Sequence, residues 1–81
     1  MSNAKEIKRL MILRQINLAS WKYFRISADL MKTPAEEMEF NGIADAWKEN
    51  VDILSGKIKD LNPSKYMLRK YPELTDIITS V

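Results

Sequence analysis

Glu36, Glu37, Glu39, Asp45, Glu49 and Asp52 place six carboxylates along one stretch of the chain. Grouped carboxylates are what general acid/base catalysis or a hard-cation site requires. Their spacing argues for a plainer role. Glu36, Glu37 and Glu39 follow Thr33 and Pro34, where negative charge suits the positive end of a helix dipole. Asp45, Glu49 and Asp52 recur on the polar side of a helical pattern, and a carboxylate that stays in water has no cause for a shifted pKa. The 81 residues include no His and no Cys. That removes thiolate and imidazole ligands, thiol nucleophiles and a Ser-His relay from the chain itself. The sequence therefore predicts no catalytic residue, no cofactor-binding residue and no metal site, and it reads as non-enzymatic.

The cations are the other candidates. Residues 1–32 carry seven basic and two acidic side chains (net +5), residues 33–61 three and seven (net −4), and residues 62–81 three and two (net +1). Two helices of opposite sign attract, and that alone accounts for the segregation. The sharper reading is a partner surface in which Arg14, Lys22, Arg25 and Lys32 share a ridge with Leu18 among them. Such a ridge fits an acidic protein, a phosphate backbone or an anionic membrane. So few cations bind nucleic acid weakly and with steep salt dependence. A helix-turn-helix fails, because Gly42 lies inside an unbroken helical pattern with no recognition-helix spacing after it.

The elements that position these residues are all helical. Strand-like alternation is absent, and the three Pro fall where helices begin or end. The predicted fold is all-α and a single domain over 1–81: a long antiparallel hairpin of helices at about 3–31 and 34–61, then short helices at about 63–70 and 72–80. Thr33-Pro34-Ala35-Glu36 marks the turn, with Thr33 as N-cap, Pro34 at the first helical position and Glu36 completing a capping box. Asn62-Pro63 repeats the stop and restart. The second helix has one narrow seam of Phe40, Ile43/Ala44, Trp47, Val51, Leu54, Ile58 and Leu61.

The first helix is less simple. Ile12, Ile16, Ala19, Tyr23, Ile26 and Leu30 follow 4-3-4-3-4 steps and read as the centre of its buried face. Leu10, Leu13, Trp21, Phe24 and Ala28 widen the apolar arc to roughly 200°, about twice what an ordinary surface helix needs. Asn17 and Ser20 are cap-type residues that allow a break near Asn17–Trp21. One partner helix cannot cover so wide an arc. The edge formed by Leu10, Leu13, Ser20, Trp21, Phe24 and Ala28 is therefore the predicted self-association surface, closing a helical bundle from two copies. A chain of this size has no disulfide to strengthen it, and association remedies that. As a compact monomer it would expose about 5,000 Å².

The expected function is that of a small interaction protein, a regulator, adaptor or inhibitor that binds a protein partner and forms a homodimer. The alternatives are a weak nucleic-acid or anionic-membrane binder using the basic face, or a structural subunit or accessory factor of a viral or mobile-element assembly. The longest uncharged run, Gln15–Trp21, is far too short to cross a membrane. Lys5, Lys8, Arg9 and Arg14 interrupt the N-terminal apolar run, which argues against a cleavable signal. The absence of Cys fits a cytoplasmic location.

Overall fold

The protein is represented by a computed structural model that describes residues 3–80. Four helices follow in order: α1 (Ala4–Asp29), α2 (Pro34–Asp60), α3 (Lys65–Lys70) and α4 (Glu73–Thr79), with no strand among the described residues. The long pair α1 and α2 packs along its length, α4 folds back onto α2, and α3 packs on α4. The result is a rod of 51 × 19 × 17 Å.

Local chemistry accounts for the boundaries. Thr33 is extended (φ −120°, ψ 148°), as a residue before Pro must be, and its Oγ1 accepts from the Glu36 N–H at 3.2 Å. The Glu36 carboxylate takes the Thr33 hydroxyl at 2.8 Å, so the box closes side chain to side chain. α1 stops at Asp29, two residues short of the expected Met31, and the Leu30 and Met31 N–H groups bond the Ser27 and Ala28 carbonyls. It runs through Asn17–Trp21 without a break. Asn17 Nδ2 donates to the Leu13 carbonyl and Ser20 Oγ to that of Ile16, bonds made within the helix that leave it intact. Asn62 ends α2 with φ 51°, a left-handed conformation that Asn tolerates. Ser64 then caps α3, its Oγ accepting from the Met67 N–H at 3.2 Å.

The core sits at the open end of the hairpin. Ile7 and Leu10 of α1, Ile58 of α2, Met67 of α3 and Leu74 and Ile77 of α4 form one buried cluster. The expected α2 seam is the one used: Ala44, Val51 and Ile58 are buried, Phe40, Trp47, Leu54 and Leu61 half-buried, and only Ile43 turns outward.

The buried face of α1 is not the one predicted. Its inward positions are Ile7, Leu10, Arg14, Asn17, Trp21, Phe24, Ala28 and Met31, a strict 3-4 repeat. The stripe predicted to be the centre of the core lies outside. At 100° per residue the two stripes are about 160° apart on the helix, so the reading exchanged inside for outside. Tertiary fit decides between them. On the inward face Phe24 meets Phe40 with ring centroids 6.0 Å apart, and Arg14 and Arg25 find neutral partners on α2.

Gly42 offers a direct check on α2. It is helical and exposed, and a Cβ there would meet nothing within 4 Å. Gly42→Ala is expected to stabilise the chain by about 1 kcal/mol. A higher urea midpoint at unchanged slope would report it.

Candidate functional site

The outer side of α1 is the feature that the fold leaves unexplained. Ile12 (63% exposed), Ile16 (56%), Tyr23 (66%), Ile26 (63%) and Leu30 (73%) stand in line with exposed Ala19. From Ile12 to Leu30 the stripe is about 27 Å long at 1.5 Å per residue. Soluble monomers rarely leave contiguous apolar patches beyond a few hundred Å² in water. α1 thus carries two apolar seams on opposite sides, the pattern of a helix buried on both faces. Tyr23 is held edge-on to Phe24, centroids 5.3 Å apart, which links the outer stripe to the inner seam.

At its N-terminal end the stripe runs into an open groove of about 420 Å³ between α1 and the C-terminal helices. Met11, Ile12, Tyr71 and Ile77 form its apolar lining, with Lys8 and Glu73 among its polar residues. Lys8 Nζ lies 6.0 Å from the centroid of the Tyr71 ring. Ile12 belongs to both features, so stripe and groove form one continuous track.

The expected sites are placed differently. In the proposed self-association surface, Leu10 and Ala28 lie in the monomer's own interior, and Leu13, Ser20, Trp21 and Phe24 are half-buried. That edge is largely the seam against α2. The reason is the same inversion of α1, which carries the expected edge inward and the expected core outward. The proposed partner ridge divides. Arg14 is half-buried and its Nε donates to Ser55 Oγ at 2.8 Å, while Ser55 Oγ donates to the Val51 carbonyl at 2.8 Å. Arg25 donates to Asn41 Oδ1 on α2, and Leu18 is half-buried. Lys22 and Lys32 are exposed. The Glu6–Arg9 and Lys48–Asp52 ion pairs each lie within one helix.

Glu36, Glu37, Glu39, Asp45, Glu49 and Asp52 are all exposed. The Arg9 guanidinium, hydrogen-bonded to Glu6, holds that carboxyl below its ordinary range, the direction opposite to that of a proton donor working near neutrality. No group of three or more acidic, His or Cys side chains among the described residues is placed to hold a metal ion. No helix of the described residues is long and apolar enough to cross a membrane. No protein-family model matches the chain, and no curated protein or solved structure is significantly similar to it.

Proposed function

We propose that this chain is a small non-enzymatic interaction protein whose docking face is the outer side of α1. The observation that carries the reading is the exposed stripe from Ile12 to Leu30. Folding alone has no use for it, because α2, α3 and α4 pack elsewhere. Association through this face, as a homodimer or within a larger assembly, completes a helical bundle and keeps these side chains from water. A regulator, adaptor or inhibitor that works by occupying a surface needs nothing more.

The test is a double substitution, Ile16→Glu with Ile26→Glu. Both positions are exposed in the isolated chain, so the helical circular dichroism signal and the melting temperature of dilute protein should change little. Capture of protein partners from the native cell, at both low and high salt, should be lost. Equal recovery of the same partners by both forms would overturn the reading.

A second reading has an observation of its own. Exposed Lys8 and Lys22 border one side of the stripe, as cations border the apolar face of helices that lie on anionic membranes. Co-sedimentation with phosphatidylserine vesicles that is abolished by the same double substitution would favour it. Duplex binding has less support, because Arg14 and Arg25 are hydrogen-bonded to α2.

A further inference from the structure

We infer that the occupant of the α1 outer face is a second copy of this chain, docked antiparallel with a two-fold axis beside residue 21 of each copy. The inference rests on the docking reading and adds the identity and register of the occupant. In an antiparallel pair related by a two-fold axis, facing residues have numbers with a constant total. The stripe residues satisfy this as a set: 12 with 30, 16 with 26 and 19 with 23 each total 42. Ile12 then faces Leu30 of the second copy, Ile16 faces Ile26, and the small Ala19 faces Tyr23, the largest side chain of the stripe. Large against small across the seam is how packed helices interdigitate.

Other arrangements fit worse. Sliding the copies one heptad in one direction sets Ile26 against Arg9 and Leu30 against Lys5. Sliding them the other way carries Ile12 and Ile16 past the end of the facing helix, opposite residues 37 and 33. A parallel pair stacks Tyr23 on Tyr23 and Ala19 on Ala19, and it gathers Lys5, Lys8 and Arg9 of both copies at one end. The antiparallel register instead separates those cations to opposite ends of the pair.

Two further observations agree. The chain exposes 5878 Å², about 900 Å² more than a compact chain of its mass, and a standard interface buries about 800 Å² per partner. The groove also lies where this register needs one. Ile12 lines it, so Leu30 of the second copy, the most exposed residue of the stripe, arrives at its mouth.

The chain has no cysteine, which makes disulfide trapping clean. Ile16→Cys and Ile26→Cys variants should each remain uncrosslinked when oxidised alone, since each lies about 15 Å along the helix from its own copy. Mixed, they should give a covalent dimer. Wild-type protein should sediment as a dimer at micromolar concentration, and the Ile16→Glu, Ile26→Glu double variant should weaken the dimer by about 100-fold or more. Self-crosslinking of the Ile16→Cys or Ile26→Cys variant in preference to the mixed pair overturns the register. A single 9.4 kDa species for the wild type overturns the second copy as occupant. The docking reading is judged separately: a monomeric wild type that captures other proteins, with a glutamate variant that does not, keeps the docking face while removing the second copy as its occupant. Circular dichroism of every variant confirms that the helices are intact.

Discussion

Ile58→Ala should cost the folded chain about 3–4 kcal/mol, most of what a domain this small has to lose. Ile58 is fully buried where α1, α2, α3 and α4 meet, packed in the cluster with Ile7, Leu10, Met67, Leu74 and Ile77. α3 and α4 have six and seven residues, too few to be helical alone, so a cavity here loosens both at once. Ile16→Ala is the matched control. It removes a similar side chain from the outer stripe, and in dilute monomeric protein it should change stability by under about 0.5 kcal/mol. Urea melts followed by circular dichroism compare the two directly. Equal losses at both positions would mean that the inner and outer faces of α1 are wrongly assigned.

The second large effect is expected from filling space. Ala44 in the α2 seam and Ala28 near the end of α1 are both completely buried. Small side chains at such positions let long helices approach closely, and a larger one forces them apart or into poor rotamers. Ala44→Leu should destabilise by about 1–3 kcal/mol although it adds apolar surface. A melting temperature lowered by roughly 4–8 °C per kcal/mol would confirm the tight seam. A rise would show room beside Ala44 that the structure does not have.

What the sequence made legible follows from where a single physical rule acts alone. Thr33-Pro34 admits one geometry, so the turn was readable from four residues. α2 is apolar on one side only, so its seam had one solution. The short helices were readable from Asn62-Pro63 and Pro72, while the start of α3 at Lys65 is set by Ser64. α1 offered two solutions, and the wrong one looked better because Ile12, Ile16, Ala19, Tyr23, Ile26 and Leu30 contain no polar residue. The face that is used includes Arg14 and Asn17, which a pattern search counts against it. Their acceptability depends on Ser55, a residue forty-one positions away, and on the Leu13 carbonyl. A signal was present, since α2 carries Ser55 and Asn41 on the side that meets α1, polar partners waiting for Arg14 and Arg25. Finding it needs both helices considered as a pair. The same inversion moved the predicted association surface from one side of α1 to the other, while the excess width that motivated it remained.

The placement of the core has a consequence for how the molecule opens. Ile7, Leu10, Ile58, Met67, Leu74 and Ile77 all lie at one end of a rod 51 Å long, whereas from Lys32 to Glu39 every side chain is exposed. Resistance to local opening is therefore graded along the rod, and amide protons near the turn exchange through fraying that leaves the far end closed. Ile26 and Leu30 ride on the half nearer the turn. Whatever seats itself on them does its greatest ordering there, extending protection from one end of the rod to the other and turning a graded unfolding into a cooperative one.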